Sequence, residues 1–258
     1  MELKMTGRKA LVTGGSLGIG RAIAQAFCGA GAEVAIVARR QDVLDEAKAE
    51  IEAATGGRIL AIAGDVSTAD GCAAAFNEAV SQLGQIDVLV NNAGSSHRAP
   101  FVEVTDEEWQ ADLDLKLFAA IRLCRLAFPG MTERKWGRII NVLNSGAKAP
   151  PPSGAPTAVT RAAGMALTKV LAGEGAPHNV LVNSLHVGKI QSDQWVRRAA
   201  KTNKDVDQLY AEMGEELPMG RIGTAEEFAA AACFLASDAG SYICGAAINV
   251  DGGLSPVV

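Results

Sequence analysis

The chain has 258 residues, a net charge of −5, 48% hydrophobic and 21% charged side chains, enough for one large α/β domain with a sizeable core. The acidic balance argues against nucleic-acid binding, since the one basic cluster, Arg197, Arg198, Lys201 and Lys204, sits among acids and reads as a solvated helix face. Five scattered cysteines, three well-separated histidines and no apolar run long enough for a bilayer point away from a disulfide framework, a metal site and a membrane span. A reducing cytoplasm is the expected compartment.

In chain order, the first strand, Lys9–Thr13, runs into Gly14-Gly15-Ser16-Leu17-Gly18-Ile19-Gly20 and then a helix from about Arg21. Chemistry explains the glycines: Gly14 permits a tight turn, Gly18 lets backbone approach a pyrophosphate, and Gly20 lets helix and strand pack closely. The helix N-terminus adds free N–H groups and the positive end of its dipole. A second strand over 33–37 ends at Ala38-Arg39-Arg40, and an amphipathic helix over 41–54 follows. A third strand over 58–63 leads to Asp65-Val66 and the helix Ala69–Leu83. The run Ile86-Asp87-Val88-Leu89-Val90 reads as a strand covered on both faces.

After that run come Asn91-Asn92-Ala93-Gly94, a long helix over 113–131, a strand over 138–143 and the Pro-rich loop around 150–156. A helix over 158–172, a strand over 180–185, a helical stretch over 192–217 and a last strand, Ala247–Val250, complete the chain. Strands alternating with helices predict a single doubly wound, seven-stranded parallel sheet with helices on both faces. In that layout 192–217 lies over the carboxyl ends of the strands, as a substrate lid.

The motif Thr13-Gly-x-x-x-Gly-x-Gly20 resembles the fingerprint of the classical short-chain dehydrogenases/reductases, a Rossmann-fold family. So do Asp65-Val66, Asn91-Asn92-Ala93-Gly94, the stretch Gly220 to Glu227, and Asn249-Val250-Asp251-Gly252-Gly253, in family order across nearly the whole chain. The resemblance implies a dinucleotide held by Gly14, Ser16, Leu17, Gly18, Ile19 and Gly20, with Asp65 and Val66 beside the adenine. Asn91, Ala93, Gly94, Arg161 and Gly188 complete the expected set. An acid closing the second strand would select NAD(H) in this family. Ala38 stands there, followed by Arg39 and Arg40, whose guanidiniums suit a 2′-phosphate and favour NADP(H). The helices over 113–131 and 158–172 resemble the family's intersubunit bundle, so a homotetramer or homodimer is expected.

The catalytic half departs from the family pattern. By resemblance, Tyr is expected at Thr157, Lys at Arg161, Ser at Asn144 and Asn at Lys116. Tyr210 and Tyr242 fall elsewhere, and an aliphatic alcohol is too weak an acid to replace a phenol unaided. His186, before Val187-Gly188, is a further candidate acid or base. Lys116, Lys189 and His97 are others, each with a plain reading as a surface or loop residue. Three functions remain open. One is an oxidoreductase with an altered proton relay acting on a small molecule; another is a catalytically silent cofactor-binding sensor or partner subunit; the third is a non-redox enzyme on the same fold.

Overall fold

Strands that are apolar throughout must be covered on both faces, and the computed structural model, which describes residues 3–258, builds that arrangement. The side chains of Asp193, Gln194 and Arg197 are not described, so the reading of Arg197 as a solvated charge lies outside the described residues; Arg198, Lys201 and Lys204 are exposed. The strands are β1 Lys9–Thr13, β2 Glu33–Ala38, β3 Ile59–Ala63, β4 Val88–Asn91, β5 Arg98–Ala99, β6 Gly137–Asn144, β7 Ala155–Pro156, β8 Val180–Val187 and β9 Ala247–Val250. The helices are α1 Gly18–Gly29, α2 Gln41–Thr55, α3 Ala69–Leu83, α4 Asp106–Leu113, α5 Ala119–Glu133, α6 Thr157–Gly175, α7 Asp193–Lys201, α8 Val206–Glu215 and α9 Ala225–Ala236.

Seven strands form one parallel sheet in the order β3-β2-β1-β4-β6-β8-β9. The strand order reverses between β1 and β4, and sheets of this kind bind ligands in the crevice that opens there. One core, containing Phe27, Ile51 and Phe228, lies under α1, α2 and α9; another, containing Cys72, Leu89 and Leu123, lies under α3, α5 and α6. A small antiparallel ribbon, β5 with β7, was not anticipated from sequence.

Local chemistry accounts for two of the recognised motifs. Thr224 and Glu227 form a reciprocal capping box at the start of α9, and Arg221 grips the same Glu227 at 2.6 and 2.9 Å. The 220–227 stretch is thus a helix start. At the other end of the chain, Gly20 packs so tightly that a Cβ there would come 2.1 Å from the Gly14 carbonyl oxygen.

Two strands run farther than the sequence pattern suggests, with a consequence for His186. β6 continues to Asn144 and β8 to Val187, so Leu143 pairs with His186 and Asn144 with Val187. The polar His186 ends the apolar run, but the ladder continues through it. Its ring is fully buried. Nδ1–H donates to the Asn144 carbonyl at 3.1 Å and Nε2 meets Ser184 Oγ at 3.0 Å. Burial pushes its pKa down to about 4, and the ring lies within the sheet and not at its mouth.

Phe228 is fully buried where α9 packs on α1 and the sheet. Phe228→Ala is expected to lower stability by about 3–5 kcal/mol, measured from the urea unfolding midpoint and slope.

Candidate active site

The carboxyl ends of β1 and β4 are tied together by two side chains. Thr13 Oγ1 accepts from the backbone N–H groups of Asn92 and Ala93, both at 3.0 Å, and Asn92 Nδ2 donates to the carbonyls of Thr13 at 2.9 Å and Gly14 at 3.2 Å. These bonds hold the glycine turn open beside a cleft of about 320 Å³ lined by Gly14, Leu17, Gly18, Ile19, Gly20, Gly94, Asn144, Thr157 and Arg161. α1 begins at this cleft with Leu17 as its N-cap residue, which supplies no side-chain acceptor. Its first N–H groups therefore remain available to a phosphate, as a dinucleotide requires. Asn92, which orders the loop, was missed as a site residue in the sequence; only its place beside Asn91 marked it.

Other expected cofactor residues are distributed differently. Ser16 is half-buried in the turn, and Gly188 lines an adjoining cavity of about 500 Å³. Arg39, Arg40 and Asp65 are exposed, and Asp65 is held below the usual carboxylate range chiefly by hydrogen bonding from the Ser67 backbone, with Arg39 adding to it. Val66 points into the core, so only its backbone faces outward chemistry. The Asn91 side chain is also turned inward, donating to Asn141 Oδ1 at 2.8 Å, because Asn141 on β6 and Thr168 on α6 offer it a buried polar chain. Ala93 contributes its N–H to Thr13 and its methyl to the core edge.

Lys116, Asn144, Thr157 and Arg161, the four positions at which resemblance expects other residues, lie around the same cleft. Between α4 and α5 the helix takes a π turn over Asp114–Phe118, and this wider turn carries Lys116 inward. Its plain reading as a helix-surface charge is corrected: the side chain is 1% exposed, ion-paired to Asp112, with Nζ donating to Thr157 Oγ1 at 2.8 Å. Burial lowers its pKa to about 8 and Arg161 pushes the same way, while the bond to Asp112 opposes both.

Thr157 Oγ1 also accepts from the His97 N–H at 3.1 Å and donates to the His97 carbonyl at 2.6 Å, which uses its full hydrogen-bonding capacity. His97 Nε2 lies 3.2 Å from a Glu108 carboxylate oxygen without a hydrogen bond to it, and Lys189 pairs with Glu216. Arg161 donates to the Val142 carbonyl at 2.7 Å and lies against Gly94, where a Cβ would come 2.5 Å from its Nη2. Desolvation brings its pKa down to about 10, which leaves it a cation at neutral pH. Asn144 lines both cavities, and its buried Oδ1 has no protein partner.

Residues 14–255 match a family model described as enoyl-(acyl carrier protein) reductase. This chain belongs to the short-chain dehydrogenases/reductases. An uncharacterised oxidoreductase of Bacillus subtilis, YvrD, is 35% identical over 98% of both chains. The structure of L-sorbose reductase from Gluconobacter frateurii, complexed with NADPH and L-sorbose, is 36% identical and superposes with a TM-score of 0.96 over the whole of both chains. An NADPH-bound short chain oxidoreductase of Pseudomonas aeruginosa PAO1, described as containing an atypical catalytic center, is 35% identical with a TM-score of 0.92 over 99% of each chain. Among the described residues of this short-chain dehydrogenase/reductase, no group of three metal-ligating side chains occurs and no helix is long and apolar enough to cross a membrane.

Asp112 is the only carboxylate paired with Lys116 among the described residues. Asp112→Ala is expected to destabilise the protein by about 3–5 kcal/mol through the stranded ammonium, and adding Lys116→Met to it to restore part of that loss. A thermodynamic cycle from chemical denaturation of the wild type, both single variants and the double variant checks this.

Proposed function

We propose that this chain is an NADP(H)-dependent oxidoreductase acting on a carbonyl or alcohol group of a small molecule, with Lys116, Thr157, Arg161 and Asn144 as its working set. The observation that carries the reading is the Lys116 ammonium, 2.8 Å from Thr157 Oγ1 where the two cavities meet. NADPH-bound relatives with 35–36% identity, one of them with an atypical catalytic center, support it. The glycine cleft and the uncapped start of α1 fit the dinucleotide, and the exposed Arg39 and Arg40, after Ala38, fit its 2′-phosphate.

When bound, the cofactor supplies the hydride for reduction of the substrate carbon. Asn144, which lines both cavities, donates from Nδ2 to the substrate oxygen, and Arg161 stabilises negative charge as it develops there. Thr157 turns its hydrogen from the His97 carbonyl to that oxygen while Lys116 donates a proton to Thr157 Oγ1. The neutral Lys116 amine left beside Asp112 regains its proton from solvent. A lysine thus serves from the long helix in the role the family assigns to one on α6. Arg161 positions and stabilises and does not exchange protons. His186, sealed in the sheet, has no part in the relay.

The second reading, a cofactor-holding protein without turnover, draws on the hydrogen of Thr157 being already engaged at 2.6 Å by His97. Assembly as a homodimer or homotetramer is proposed through the outer faces of α5 and α6 and the π turn beside them. Phe118, Leu126, Val159 and Val170 there are 37–57% exposed. The segment 192–217, formed by α7 and α8 with Ser192 and Trp195 lining the larger cavity, is proposed as its cover. Five free cysteines accord with a reducing cytoplasm.

Titration of nucleotide-free protein with NADPH and NADH, followed by fluorescence, is expected to favour NADPH. The Arg39→Ala/Arg40→Ala double variant is expected to weaken NADPH binding by roughly tenfold to hundredfold and leave NADH binding unchanged. No binding of either nucleotide sinks the reading; binding without turnover on any carbonyl compound supports the silent protein.

The relay also sets a pH dependence. The proton leaves Lys116, so reduction needs the ammonium. The rate is expected to be level below about pH 8 and to fall above it, whereas the oxidation rate rises through the same point. Lys116→Met is expected to remove this limb and to slow reduction by about 10²–10⁴-fold, read from kcat against pH.

A further inference from the structure

The larger cavity is lined by an exposed cation, Arg98, for which no acidic partner occurs among the described residues. Arg8, Arg21, Arg58, Arg122, Arg134 and Arg221 each lie within 4.0 Å of a carboxylate oxygen, whereas the exposed Arg40 and Arg125, which lie outside the cavity, have no such partner among the described residues. Arg98 meets no acid, carbonyl or ring among the described residues, yet it lines the cavity of about 500 Å³ that also holds Asn144 and Thr157. The other cation on that wall, Lys189, is paired with Glu216. No Asp or Glu occurs among the described lining residues.

Arg98 is held in place by backbone on both sides. It pairs with Pro156 in the β5–β7 ribbon, one residue before α6, and the preceding His97 is bonded through both its N–H and its carbonyl to Thr157 Oγ1. The proposed relay residue therefore also anchors the segment that presents this guanidinium. Asn144 brings an amide with an unpartnered buried oxygen to the same cavity, and Ile190, Trp195 and Leu254 give it apolar wall.

We infer that the substrate is an anionic carbonyl compound, or the matching hydroxy compound: a short apolar skeleton whose reacting oxygen meets Asn144 and whose carboxylate or phosphate meets Arg98. This rests on the oxidoreductase reading and names the substrate class of the same site. A guanidinium fork is suited to either anion, and removing a charge-assisted pair of this kind weakens binding by roughly tenfold to hundredfold.

The test uses full-length protein with NADPH and a panel of short-chain and medium-chain oxo acids. Each acid is set beside its methyl ester, and dihydroxyacetone phosphate is set beside dihydroxyacetone. Binding is read by calorimetry and turnover by NADPH absorbance, for wild type, Arg98→Ala and Arg98→Lys. At least one anion is expected to bind at least tenfold more tightly than its neutral partner, with Arg98→Ala abolishing the preference and Arg98→Lys keeping part of it. Which pair shows the preference separates carboxylate from phosphate. Equal binding of anions and neutral partners, a preference that survives Arg98→Ala, or no binding by any anion overturns the inference. An Arg98-dependent preference without NADPH oxidation upholds the anion site and defeats the oxidoreductase reading instead; oxidation with neutral and charged carbonyls alike does the reverse.

Discussion

An ammonium removed from water costs several kcal/mol unless close partners replace its hydration, and Lys116 has been removed almost completely. Much of the site follows from meeting that requirement. Asp112, one helical turn earlier, supplies the opposite charge, and Thr157, from α6, supplies a second oxygen. Thr157 then closes its remaining bonds on the backbone of His97. One buried charge thereby joins the α4–α5 helix, α6 and the loop after β4. Arg161 adds a second cation nearby, so two positive groups share one carboxylate beside the cleft, a field suited to an oxygen acquiring negative charge.

The cofactor half of the cleft depends on a different and simpler constraint. Parallel strands diverge at their carboxyl ends where the sheet order reverses, and something must hold the gap at a set width. Thr13 and Asn92 do so with four bonds across the gap, all between 2.9 and 3.2 Å. The glycine turn is shaped by those contacts as well as by its own backbone freedom. The side chains of Asn91 and Val66, two residues that resemblance places beside the nucleotide, are part of the core that supports this gap, which leaves their backbone for that role. The two halves meet at Gly94, whose missing side chain admits Arg161.

The limits of the sequence reading fall on particular residues. His186 follows an apolar run that stops at Leu185, and pairing with β6 carries the ladder one residue past it to Val187 and encloses its hydrogen-bonded ring. Lys116 was legible as a substituted position and not as a buried one, since its direction depends on a π turn that periodicity at 3.6 residues does not reveal. Asp112 drew no notice, because a carboxylate at i−4 from a lysine on a polar helix reads as an ordinary surface pair. Arg98 belongs to a two-residue strand whose partner lies 58 positions later, a contact with no local signature.

What the sequence by itself determined is the part written in local terms: unbroken apolar runs for a sheet covered on both faces, glycines where backbone must turn or be approached closely, and capping residues where helices begin. These preferences act over a few neighbouring residues and survive being read one segment at a time, which is why the sheet, the family and the glycine turn at the start of α1 were all legible. Only the tertiary structure decided which groups face each other: that the lysine of one helix meets the threonine of another, that a histidine is enclosed, and that an exposed arginine with no acidic partner among the described residues lines the cavity. The direction of a side chain depends on register, on helix winding and on what packs opposite. Each of those is settled by partners dozens of residues away.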